Sequence, residues 1–149
     1  MFLETNISYG SEYRGNMKYN VEWLKELGVV EVVAGGVVNH EKRKEIFRAS
    51  RIALGKYDCD KLLINKAGAT RLFDHQMSGA LELVNIMQEM ALSGKIKIAV
   101  VAMQTAPYDE FFQEIARMKD FRVNHFTSRE IALQWLCRDG QEKGPAPSR

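Results

Sequence analysis

Residues 95–103 read KIKIAVVAM. Beyond Lys97 every position is apolar, so the segment has no polar face to turn toward water. That is the composition of an internal strand of a parallel sheet, which is covered on both sides. Val100 sits near its centre and is expected to be buried. An aspartate there would put a charge into the core at a cost of several kcal/mol.

On either side of this strand the period changes to that of helices. Residues 73–92 carry Phe73, Met77, Ala80, Leu81, Val84, Met87, Gln88 and Ala91 on one stripe, and Ser93-Gly94 ends the run. Pro107, followed by Asp109 and Glu110, opens a second helix bearing Tyr108, Phe111, Phe112 and Ile115. FRVNHF (121–126) reads as the last strand. Thr127 and Glu130 then have capping-box spacing before a helix with Ile131, Ala132, Trp135 and Leu136.

Upstream, KLLIN (61–65) is a short buried strand. Asn39 caps a helix that runs to Tyr57, with Ile46, Phe47, Ala49, Ile52, Ala53 and Leu54 at helical spacing. Before it, KYNVEWL (18–24) and VVEVVAG (29–35) form an antiparallel hairpin turned at Gly28, where positive φ is cheap. The element order is β-β-α-β-α-β-α-β-α. Strands alternating with helices after a hairpin predict an α/β fold with a five-stranded, mainly parallel sheet. Residues 1–16 form an N-terminal extension, residues 17–138 the domain, and 139–149 (DGQEKGPAPSR) a tail expected to be disordered.

Bulk properties narrow the function classes. The 149 residues are 46% hydrophobic and 27% charged, as in an ordinary globular domain. A net charge of +2, with both signs interleaved, gives no footprint for nucleic acid. No signal peptide or membrane-spanning run is present, so a cytoplasmic location is expected. Cys59 and Cys137 lack any CxxC or Cys/His ligand spacing and read as a reduced thiol pair. His40, His75 and His125 fall on separate elements, so no metal site is expected. Asp74 and His75 are adjacent, about 100° apart on a helix, and cannot form a dyad.

The hairpin, the stretch Gly36-Val37-Val38-Asn39 before a charged helix, KLLIN, Lys97-Ile98-Ala99-Val100-Val101, and Phe126-Thr127-Ser128 through Ala132 to Trp135-Leu136 together resemble the SpoIIAA-like branch of the STAS domains. This is the fold of bacterial anti-anti-sigma factors and of sulfate-transporter tails. The resemblance spans roughly residues 17 to 138 and rests on structural motifs. It implies a sheet in sequence order and a non-enzymatic regulatory module acting on protein partners. That family carries a phosphorylatable serine in an Asp-Ser-Ser-Gly-type turn at the start of the helix after the third strand. Here Asp74 is followed by His75 and Gln76, and Ser78-Gly79 lies a turn deeper, so no phosphorylation is expected.

Two loops should leave neighbouring strand ends on the edge where open α/β sheets bind ligands. They contribute Asn65, Lys66, Gly68 and Thr70 from one loop and Gln104 and Thr105 from the other. Glycine and lysine near a helix start can hold an anion, although the Walker A order is missing and no cofactor is expected. No catalytic residue is assigned. Leu83, Ile86 and Met90 form a second apolar stripe on the long helix, which calls for a neighbouring helix or a second subunit, and a homo-oligomer is expected. Met77, Met87, Met90, Met103 and Met118 fall on apolar sides of elements around mid-sheet. They leave open an apolar-ligand pocket of the kind held by the distantly similar CRAL-TRIO lipid carriers, in a much shorter chain.

Overall fold

Every second residue of a strand faces the same side of its sheet, and in this chain both sides are apolar. The computed structural model describes residues 5–7, 18–38, 40–71, 77–89, 96–103 and 107–138. Its elements are β1 (Thr5–Ile7), β2 (Lys18–Leu24), β3 (Val29–Val38), α1 (His40–Lys56), β4 (Lys61–Arg71), α2 (Met77–Glu89), β5 (Lys97–Val101), α3 (Pro107–Met118), β6 (Arg122–Phe126) and α4 (Arg129–Cys137). The spatial order of the strands is their sequence order. β1, β2 and β3 pair antiparallel, and β3 through β6 pair parallel.

The five strands read from the sequence are all in place, with the opening hairpin and the alternating units. The hairpin turns at Gly28, whose N–H donates to Leu24 O at 2.8 Å and whose φ is +69°. A sixth strand, β1, lies on the outer edge against β2. Its residues were assigned to an extension because three residues are too few to show a period. The tail 139–149 lies outside the described residues.

One face of the sheet carries Val30, Val32, Leu62, Ile64, Ile98, Val100 and Val123, packed against α1, α2 and α3. The other carries Val29, Leu63, Ala99, Val101 and Phe126, packed against Ala132, Trp135 and Leu136 of α4. All of β5 is buried, Val100 included. The doubly covered strand expected from KIKIAVVAM is therefore present. Its one charged residue, Lys97, is buried too. Its Nζ donates to Trp135 O at 2.7 Å and Arg138 O at 3.2 Å, the carbonyl end of α4, where a cation is favoured.

Two boundaries differ from expectation. β3 and β4 run on to Val38 and Arg71, three and six residues beyond the ends read from the sequence. The register shifts between Val33 and Gly35, and the strands then pair Gly35 with Gly68 and Val37 with Thr70. Gly36 takes φ +76°, open to glycine at no steric cost. Glycines read as loop thus mark an irregular strand pair instead. At α4 the cap is Ser128, whose Oγ accepts from Ile131 N at 3.2 Å, one residue past the expected Thr127.

Candidate functional site

α1 and α3 both begin above the carboxyl ends of the parallel strands. Their first turns and the strand ends enclose a cavity of about 40 Å³. Its floor is Ile64 and Val100, and its sides are Ile46, Phe47, Leu83 and Phe112. Four ionisable side chains also line it: Arg43 from α1, Lys66 from β4, Asp109 from α3 and His125 from β6. Arg43, Asp109 and His125 are buried. An apolar pocket with a few convergent polar groups on this edge is where α/β folds bind small molecules. At roughly 10–15 Å³ per water, the volume suits a fragment of a few heavy atoms rather than a lipid.

The four groups sort onto two walls. Lys66 and Arg43 stand on the β4 side, and Asp109 and His125 stand across β5 on the β6 side. His125 is level with Val100 and Ile64 in the parallel register, so its ring points into the same layer. It packs edge-on to Phe112 with centroids 6.5 Å apart. Its Nδ1 lies 2.8 Å from Gln113 Oε1. An amide oxygen only accepts, so Nδ1 carries a proton in this contact. Nε2 lies 3.9 Å from Asp109 Oδ1. That is beyond hydrogen-bond length but within reach of an ion pair when the imidazole is protonated.

No protein-family model matches the chain, and no curated protein matches it. Among solved structures, an uncharacterized protein of the DUF3478 family with a SpoIIAA-like fold, from Shewanella loihica PV-4, is similar to it. The two share 16% identity over 91% of this chain and 100% of that one, with a TM-score of 0.46. The fold named there is the one the sequence resembles. No residue of the site is assigned from that likeness.

Of the described residues expected at the strand-end loops, only Lys66 lines the cavity. Asn65 is adjacent and so points through the sheet to the α4 side, where its Nδ2 donates to Glu31 Oε2 at 3.1 Å. Gly68 is exposed in the β3–β4 pairing, and the backbone of Thr70 pairs with Val37. Residues 65–70 are strand, which corrects their reading as an anion-holding loop at a helix start. Gln104 and Thr105 lie outside the described residues, as do Asp74 and His75. Ser78 lies in α2, and the residues before Met77, where the helix was expected to begin, lie outside the described residues.

Leu83 and Ile86 are 2% and 7% exposed inside the core. α2 is flanked by α1 and α3, and Phe112 and Ala116 of α3 share this core with it. The neighbouring-helix alternative accounts for the second stripe, and these two side chains are not available to another subunit. Met90 lies outside the described residues. Met87 is core, whereas Met103 and Met118 are exposed, so these three methionines do not converge on a pocket. Among the described residues, no three His, Cys, Asp or Glu side chains are grouped to hold a metal, and no helix is long and apolar enough to cross a membrane. Both cysteines are free, and burial pushes the Cys59 thiol up.

On the α4 side, Glu31 is 2% exposed and is held by Arg129, whose Nε and terminal nitrogen donate at 2.9 and 2.8 Å. Glu22 pairs with Glu31 across β2 and β3. Burial, and then the Glu31 charge, raise the Glu22 carboxyl above its ordinary 4.5, while Arg129 pulls the other way. A raised carboxyl opposes folding when ionised. Its penalty is full above the folded value and fades as pH falls toward 4.5. Glu22→Gln is therefore expected to raise the melting temperature at neutral pH by about 1 °C, a small gain because the group is partly solvated. Thermal melts should show that gain shrinking on acidification. A gain that grows toward low pH would contradict the assignment.

Arg43, Asp109 and His125 were not singled out as site residues from the sequence. A signal existed for each. Arg43 falls on the stripe of Ile46, Phe47 and Ser50, and His125 alternates with Val123 on the helix-covered face of β6. Asp109 reads as an ordinary helix-start acid, and only the tertiary structure turns it inward.

Proposed function

We propose that the protein is a non-enzymatic regulatory module of SpoIIAA-like fold that acts on a protein partner in response to a small anionic ligand. The observation that supports this reading is the cavity at the strand carboxyl ends, where Arg43 and Lys66 meet an apolar floor. A carboxylate there would be held by charge-assisted hydrogen bonds, with its carbon chain against Ile64 and Val100. The starts of α1 and α3 add the favourable ends of two helix dipoles.

Thermal denaturation with short carboxylates and with inorganic phosphate tests the reading. A ligand present at about 100 times its Kd stabilises by about 2.7 kcal/mol, a shift of several degrees for a domain of this size. Lys66→Ala is expected to remove most of that shift while leaving the unliganded melt close to wild type. An unmoved melting temperature with every anion would reject the proposal.

A further inference from the structure

We infer that the ligand of this cavity is a short straight-chain monocarboxylate, its head at the rim and its apolar tail pointing down toward the sheet. The inference rests on the anion-binding reading above and specifies the other end of the molecule. α1 and α3 run opposite to the parallel strands, so the first residues of each helix are level with the strand carboxyl ends. Arg43 comes one turn before Phe47, and Asp109 one turn before Phe112. Lys66 is two residues past Ile64, beyond Asn65 and Val101, the last pair of the β4–β5 ladder. These three charged residues therefore belong to the rim. A helix turn rises about 5.4 Å and two strand residues about 6.6 Å, which sets the drop to the layer beneath.

That lower layer holds Ile64 and Val100, level with each other in the register, and Phe47 and Phe112 line it from the helices. Its one ionisable member is His125, whose Nδ1 is engaged with Gln113. Leu62, Ile98 and Val123 form the next row down and are at most 1% exposed, so the bottom is closed. The cavity volume of about 40 Å³ is the space of about three or four small groups, which sets the tail at about three or four carbons. Two cations against one carboxylate at the rim suit a single negative charge. A guanidinium has five donors and an ammonium three, so each can hold a carboxylate alongside a protein partner. A second carboxylate at the far end of the ligand would be carried into the apolar layer and lose its hydration.

Calorimetric titration of the full chain with the straight-chain acids from acetate to octanoate, and with succinate and inorganic phosphate, tests these demands. Each added methylene is expected to tighten binding about fourfold up to butyrate or valerate. Hexanoate and longer acids should then weaken by about tenfold or more, because a closed bottom cannot take them without strain. Succinate, with as many carbons as butyrate, should bind about tenfold or more weaker. Val100→Ala should move the optimum up by about one carbon, since it deepens the floor. Were that variant not to fold, the wild-type series alone would decide. Acetate or succinate binding as tightly as butyrate would overturn the apolar tail and leave the anion-binding reading standing. So would affinity still rising at octanoate, an optimum unmoved in folded Val100→Ala, or binding of phosphate but of no acid. Silence from every anion would overturn both.

Discussion

Ile98→Asp is expected to abolish the cooperative unfolding transition of this domain. Ile98 is fully buried on β5, between β4 and β6, under the three-helix side of the sheet. A carboxylate there meets apolar neighbours, and neutralising or hydrating it requires opening the core. Substitutions of this kind cost about 4–5 kcal/mol or more, against a total stability of about 5–15 kcal/mol. Circular dichroism melts should show no folded baseline, or a transition lowered by well over about 10 °C. Val100→Asp, two residues along on the same face, is expected to cost less than its burial alone suggests. Val100 lines the cavity with Arg43, Lys66 and His125, so a carboxylate there gains cationic neighbours. If Ile98→Asp melted like the wild type, the central place of β5 would be wrong.

Arg129→Met is the second large effect. The substitution keeps much of the side-chain stem but leaves Glu31 buried with only Asn65, among the described residues, donating to it. Breaking a fully buried pair costs about 3–5 kcal/mol. Arg129 is itself 46% exposed, so water can enter the gap, and about 2 kcal/mol is the better expectation. The double variant Glu31→Met with Arg129→Met should recover most of the loss, since an apolar pair needs no compensation. Denaturant titration of the two single variants and the double gives the coupling energy. Strict additivity would mean that the ion pair contributes nothing specific.

The sheet was legible because its signals are local and repeated. KIKIAVVAM, KLLIN and FRVNHF are short strand-like runs, and the helices between them carry a helical period. The irregular part was not legible. Gly36 and Gly68 lie beyond the strand ends read from the sequence, and only the pairing of β3 with β4 makes strand of them. Among the site residues, Lys66 could be reached because a strand end in a parallel sheet has a known edge. Asn65 went with it in sequence but lies on the opposite side of the sheet, a distinction that depends on which face Ile64 takes. Asp109 and His125 are separated along the chain and meet only through the pairing of α3 with β6. The surplus apolar stripe of α2 was read correctly as needing a cover. Whether that cover is a helix or another molecule depends on how α1 and α3 pack, which periodicity does not encode.

Because each strand pairs with the one made just before it, the sheet can grow during synthesis by adding one edge at a time. No strand has to wait for a distant partner to be inserted beside it, which keeps loop closure inexpensive and exposes only the newest edge. One element stands outside this order. Glu31 is laid down early, on β3, and its arginine arrives 98 residues later at the start of α4. On the ribosome, a carboxylate without its counter-ion would sit at the middle of the growing sheet until the last helix emerged and closed over it.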